Sequence, residues 1–214
     1  MKNQIEIKFD KNSTQAIDDN LITSIGLFSD VQYADVEDGM CHHKINTRYY
    51  RNSLNMLKKI LEQFKKHEQT TCKSLKCLVQ LGDLIDGKCK LDNSSKKCLN
   101  KCLDELNNMV SNETSLLHIW GNHEFYNFLR KDLLESKLNT SKILDSKTQS
   151  TSNDYVFNIS ENLDLICLDF YEFSIIGYEG NEKIYLDAHE YYTYLKQTGQ
   201  RKFVAFREGA LSQK

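Results

Sequence analysis

Three short segments carry groups suited to a divalent metal and a phosphate ester. They are Ser29-Asp30-Val31-Gln32, Gly82-Asp83-Leu84-Ile85-Asp86 and Gly121-Asn122-His123-Glu124, spread across a chain of 214 residues. Asp30 and Asp83 bring hard carboxylate oxygens, Gln32 and Asn122 neutral amide oxygens, and His123 a ring nitrogen or a proton. That mixture suits Mn²⁺, Mg²⁺ or Fe rather than a thiolate-bound metal. Asp30 and Gln32, two apart on an extended loop, project to one side and could share an ion. Asn122 could bind a second ion, with Asp83 between them as a bridge. Two ions about 3.5–4 Å apart clamp a phosphoryl group and lower the pKa of a bound water, which is chemistry for cleaving phosphate esters or anhydrides. An Asp after a strand is more often a turn or cap residue, by roughly two to one for each segment alone. Three segments together reverse those odds.

Donors so far apart must be gathered by the elements that precede them. Leu21 to Phe28, Leu75 to Leu81 and Leu116 to Trp120 are short runs rich in Leu, Ile and Val, and they predict buried strands. Ligands of open α/β sheets bind outside the carboxyl ends of the strands, so three such endings can form one site. Tyr50, Leu54, Leu57, Leu61 and Phe64 share one helical face and predict a helix over about 47–66. Leu99, Leu103, Leu106 and Val110 repeat that spacing after Ser94 or Ser95, either of which can cap the helix. Residues 124–137 read as a helical segment, and 138–152, rich in Ser, Thr, Asn and Lys, as an exposed connection. Tyr155 to Ile159 and Leu163 to Phe170 read as a hairpin that adds strands to the sheet, followed by a helix over about 188–197. The alternation predicts an α/β fold with a mainly parallel sheet.

With 40% hydrophobic and 27% charged residues and a formal net charge of −2, the chain has the make-up of one globular domain. That balance leaves no electrostatic footprint for nucleic acid. No apolar stretch reaches membrane length, and residues 1–20 lack the apolar core of a secretion signal. The expectation is a cytoplasmic protein with no nucleic-acid or membrane partner, its oligomeric state open and a monomer the simplest case. The cysteines number seven, an odd set without Cys-x-x-Cys, and read as reduced thiols.

In order along the chain, Asp30-x-Gln32, Gly82-Asp83-x-x-Asp86 and Gly121-Asn122-His123-Glu124 resemble the D-x-H, G-D-x-x-D and G-N-H-E/D motifs of calcineurin-like metallophosphoesterases. Gln32 in place of the usual His, with Ser29 to Asp35 and Arg48-Tyr49-Tyr50-Arg51, looks like one branch, the manganese-dependent ADP-ribose/CDP-alcohol diphosphatases. The resemblance runs from about Ile25 to the C-terminus. It implies an α/β/β/α sandwich and two divalent ions, Mn²⁺ first among them. Asp30 and Gln32 would hold one ion, Asp83 would bridge and Asn122 would hold the other. His123 would face the substrate as general acid or phosphate stabiliser, with Asp86 orienting its ring. Arg48 or Arg51 would meet a substrate phosphate, since guanidinium binds it bidentately. The implied reaction is hydrolysis of a nucleotide-diphosphate small molecule, ADP-ribose or a CDP-alcohol, to two monophosphates.

The family pattern continues with a lone His and then G-H-x-H. His189, in Asp187-Ala188-His189-Glu190, fits neither, and the likeness runs on through Phe203 to Ser212. The expectation is a polar lead-in over 1–20 and, over 21–214, the N-terminal portion of a single metallophosphoesterase domain whose C-terminal part is missing. Losing even a supporting contact at a metal site commonly costs ~10–100-fold in affinity or activity. Two alternatives therefore stand beside the diphosphatase. One is a truncated, catalytically inactive binding or structural module, the other a phosphomonoesterase or cyclic nucleotide phosphodiesterase of the same fold.

Overall fold

The structure is a computed structural model and describes residues 23–40, 45–71, 73, 75–111, 113–144 and 152–198. The expected lead-in over 1–20 and the run from Phe203 to Ser212 lie outside the described residues. In chain order the strands are β1 (Ile25–Phe28), β2 (Gly39–Met40), β3 (Thr47–Arg48), β4 (Cys77–Gln80), β5 (Ser115–His118), β6 (Tyr155–Ser160) and β7 (Leu163–Cys167). The helices are α1 (Asn52–Thr71), α2 (Lys88–Leu91), α3 (Ser95–Met109), α4 (Asn122–Asn127), α5 (Arg130–Leu134), α6 (Thr140–Leu144) and α7 (Lys183–Thr198). None of the described helices is long and apolar enough to cross a membrane.

The expected parallel sheet is present in the order β1-β4-β5, because two helical crossovers separate its strands. Its register pairs Phe28 with Gln80 and Gln80 with His118, so all three strands end level at one edge. One face is covered by α1 and α3, whose Leu57, Leu61, Leu99, Leu103 and Leu106 pack with Phe28 and Leu78 in the main core. Lys58 on α1 meets Glu105 on α3 at 3.0 Å along the seam between them. The opposite face buries Cys77, Val79 and Leu117 against Tyr155, Ile159 and Cys167 of the β6-β7 hairpin. The hairpin is therefore a second sheet stacked on the first, not an extension of it, and the layers run helix, sheet, sheet.

Several boundaries differ from the reading of the sequence, each for a local reason. Thr47 and Arg48 pair with Gly39 and Met40, so α1 starts later, at Asn52, with Tyr50 buried just before it. It also runs on to Thr71, and Glu68 in its last turns accepts the Leu75 N–H at 2.8 Å. The segment over 124–137 breaks into α4 and α5, because Phe128 and Leu129 turn extended and deliver Arg130 into the interior. There Arg130 pairs with the buried Asp169 at 2.5 Å and lies over the rings of Trp120, Phe125 and Tyr178. The polar stretch after Leu138 is not simply exposed. Leu138, Asn139 and Thr140 are buried, and Thr140, Asn153 and Tyr155 bond the backbone of His118 on β5. Polar side chains there stand in for a neighbouring strand, which is why composition alone reads them as a loop. Ser94 occupies the N-cap of α3, but its hydroxyl bonds Asp92 at 2.6 Å instead of capping the helix. Cys77, Cys89, Cys98, Cys102 and Cys167 are all free and buried.

Candidate metal and phosphate site

The level strand ends put the three chemistry-bearing segments side by side. Past the last strand residues the first two loops stay zipped: Asp30 N–H donates to Gly82 O at 3.2 Å, Gln32 N–H to Asp83 O at 2.9 Å and Tyr33 N–H to Leu84 O at 3.2 Å. Within these loops the backbone turns sharply. Four non-glycine residues have left-handed φ among the described residues, and three of them are Asp30 (56°), Gln32 (46°) and Asp83 (60°). Such conformations cost of order 1–3 kcal/mol each and persist where surrounding structure over-determines them, as at ligand clamps. The third loop approaches on glycine. A Cβ on Gly82 would lie 2.6 Å from Gly121 N, and one on Gly121 would lie 2.2 Å from Asp83 Oδ1. Gly-Asp and Gly-Asn recur at these strand ends because only bare backbone lets the loops touch.

The side chains converge as the sequence reading requires for Asp30, Gln32 and Asp83. Gln32 Nε2 lies 3.1 Å from Asp30 Oδ1 and 3.3 Å from Asp83 Oδ2. The His123 N–H donates to Asp83 Oδ1 at 2.9 Å, and Asn122 opens α4 between His123 and Gly121. Two carboxylates thus share one amide, whose ends exchange by a half-turn that would aim its oxygen at the same point. Hard oxygen donors from two loops, with the third loop bonded to Asp83 through its backbone, fit a divalent cation. Among the described residues no cluster of three or more His, Cys, Asp or Glu side chains suits a metal, so the amides are part of any such set.

His123 and Asp86 are adjacent, with Nδ1 3.6 Å from Asp86 Oδ2. The closer partner of that nitrogen is the Gly87 N–H, donated at 2.9 Å. Backbone, more than Asp86, therefore sets the ring, which leaves the proton on Nε2 as the donor available to a substrate oxygen. Asp86 instead accepts from Arg48 Nη1 at 3.0 Å and from Lys88 N–H at 2.8 Å. Arg48, with Asp30, Gln32, Tyr49, Tyr50 and Ser53, lines an open pocket of about 290 Å³. Arg51 does not line it: its guanidinium is bound to Asp35 at 3.1 Å and Glu37 at 2.6 Å, an outward-facing cluster. Hydrogen bonds from Lys101 and Arg51 hold the Asp35 carboxyl down at about 2.

Glu124 is the residue whose role the sequence does not announce. Its fully buried carboxylate accepts three backbone N–H groups, from Asp83 at 2.7 Å, Leu84 at 2.8 Å and Gly121 at 2.8 Å. Burial pushes its carboxyl up to about 7 and the neighbouring Asp83 adds to this, while the three amides pull the other way. One side chain thus ties the second and third loops from beneath. Its position three residues after Gly121, a capping-box spacing, is the signal in the sequence.

Hard donors at the carboxyl edge of a parallel sheet, in a helix-sheet-sheet stack, match the architecture of the metallophosphoesterase class. The model of the calcineurin-like phosphoesterase family matches residues 23–207, and the chain belongs to that family. It is 37% identical over 163 residues to the manganese-dependent ADP-ribose/CDP-alcohol diphosphatase of Danio rerio, covering 74% of this chain and 48% of that protein. The Homo sapiens protein of the same name is 35% identical over 185 residues, covering 82% of this chain and 52% of the relative. A crystal structure of a dimetal phosphatase from Danio rerio superposes with a TM-score of 0.70 at 33% identity, covering 84% of this chain and 54% of that one. The chain spans about half the length of the curated relatives it matches.

Proposed function

We propose that this chain carries the strand-end loops of a metal-dependent hydrolase that cleaves the diphosphate bond of ADP-ribose or of a CDP-alcohol such as CDP-choline, giving two monophosphates. The observation that carries the reading is the convergence of Asp30, Gln32 and Asp83 on left-handed backbone at one sheet edge. The relatives' names support the substrate class. In this reading Asp30 and Gln32 would hold one ion, Asp83 would bridge, and Asn122 would belong to the second. Divalent ions, if bound there, would supply Lewis-acid polarisation of a phosphoryl oxygen and a water of lowered pKa. The chain's own groups do the rest. Nε2–H of His123 donates to a phosphate oxygen, Arg48 offers the guanidinium N–H groups not used by Asp86, and Glu124 keeps the loops in register. A cytoplasmic setting belongs to the same reading and is supported by the five buried free thiols.

The test is incubation with ADP-ribose and Mn²⁺, with products separated by ion exchange. AMP and ribose 5-phosphate in equal amounts, abolished in Asp83→Asn, are expected; equal turnover in the variant would refute the assignment. A second reading, a catalytically inactive binding module, is favoured by the ligand count, since no group of three or more His, Cys, Asp or Glu side chains among the described residues suits a metal ion. Mn²⁺-dependent nucleotide binding without turnover would select it.

A further inference from the structure

Arg48 to Arg51 form a run of four residues at the rim of the site, and three of the four are tied down. Arg48 is held by Asp86 at 3.0 Å, Tyr50 is only 4% exposed in the main core, and Arg51 is clamped by Asp35 and Glu37. The backbone is fixed as well, because Ser53 N–H donates to Tyr49 O at 3.2 Å. Tyr49 alone is left projecting. Its side chain is 60% exposed and has no hydrogen-bond or ring partner among the described residues. An aromatic ring normally contributes by burying its faces, so a ring displayed on a rigid turn is either a bland surface residue or a platform.

Position decides between the two. Other exposed aromatics, Tyr191 and Tyr194 on α7 and Phe170 beyond β7, belong to elements that line no part of this pocket. Tyr49 lines the same pocket as Asp30, Gln32 and Arg48. The pocket volume of about 290 Å³ lies at the lower end of the range for small-ligand sites, enough for one nucleoside portion beside the phosphates rather than a whole dinucleotide. An aromatic residue, a guanidinium and hard-metal donors lining one pocket offer groups for a base, a phosphate and a reaction centre together.

We propose that Tyr49 is the nucleobase platform of this site: the base of a nucleoside mono- or diphosphate stacks on its exposed ring while the phosphate reaches Arg48 and the metal ligands. The inference rests on the phosphohydrolase reading above and names the part of the substrate this chain recognises. Stacking is tolerant of base identity because every base has a π-face, so one ring accommodates adenine and cytosine alike. Selection then acts against substrates lacking a base.

The test is calorimetric titration of the full 214-residue chain in Mn²⁺ with AMP, CMP and ribose 5-phosphate, using wild type, Tyr49→Phe and Tyr49→Leu. Loss of base–aromatic stacking is expected to weaken AMP and CMP by about five- to a hundred-fold in Tyr49→Leu, which keeps the apolar bulk but removes the ring. Tyr49→Phe should stay within about two-fold of wild type, and ribose 5-phosphate should be unchanged throughout. The ring is exposed, so thermal melts of all three proteins should coincide. Equal AMP affinity in wild type and Tyr49→Leu would overturn the platform while leaving the hydrolase reading intact. An equal loss for AMP and ribose 5-phosphate would do the same, since the ring would then serve the sugar-phosphate. A wild type that binds none of the three ligands would overturn both.

Discussion

Replacing Glu124 by Ala removes the acceptor of three buried N–H groups, those of Asp83, Leu84 and Gly121. Each buried donor left unsatisfied costs about 1–3 kcal/mol. A water entering the space can satisfy some of them, so the net loss is roughly 3–5 kcal/mol. Against a total stability of about 5–15 kcal/mol that is a large fraction. Glu124→Gln should fall between, at roughly 1–3 kcal/mol, because one amide end still accepts while its NH₂ faces a backbone N–H. Relief of repulsion with Asp83 offsets part of that loss. Urea unfolding followed by circular dichroism should order the proteins wild type, Gln, Ala with unchanged m-values. Mn²⁺ affinity should fall ~10–100-fold in the Gln variant, which stays folded, since the carboxylate supports the ligand loops without touching metal. An Ala variant within about 1 kcal/mol of wild type would refute the claim that this carboxylate is the tie between the loops.

Gly121→Ala should lower Mn²⁺ affinity as well, because its Cβ would lie 2.2 Å from Asp83 Oδ1 and 2.8 Å from Asp83 N; an unchanged titration would contradict the packing described. His118, fully buried, is held at about 4 by desolvation. The unfolded chain takes up that proton near 6.5 and the native one does not, so the contribution of this group to stability should rise with pH between these values, by roughly 3 kcal/mol at most, while Glu124, pushed up to about 7, contributes the opposite slope in an overlapping window. The difference in stability between wild type and His118→Asn should therefore carry the His118 slope alone, and a difference that does not vary with pH would contradict it. Inorganic phosphate binding measured by calorimetry should weaken in Arg48→Ala and hold in Arg51→Ala, whose side chain serves Asp35 and Glu37.

The strands and the meeting of their three following loops were readable because buried parallel strands are short and apolar, and the loops at the carboxyl ends of an open sheet lie side by side. Helical faces were readable too, since Leu57, Leu61, Leu99 and Leu103 repeat at the helical period and do pack on the sheet. Three features were hidden for one shared reason, that they are polar groups satisfied over long sequence separation. Thr140 and Asn153 complete the edge of β5 from a stretch that reads as solvent-exposed. Arg130 breaks a helical pattern to reach Asp169. Gly87, not Asp86, meets His123 Nδ1 most closely, a choice made by backbone geometry to which side-chain identity gives no clue. Left-handed φ at Gln32 is equally invisible, because Gln is not a residue that favours it.

Mn²⁺ titration of the chain, followed by the electron paramagnetic resonance of free ion, with Asp83→Asn measured alongside, tests the central claim most directly. Asp83 touches both Gln32 and the His123 N–H, so it is the point on which the three loops meet. Saturable Mn²⁺ binding by the wild type, weakened at least ten-fold or lost in Asp83→Asn with the urea midpoint little changed, is the predicted result. Identical titrations for the two proteins would contradict the assignment of these strand ends as a metal site.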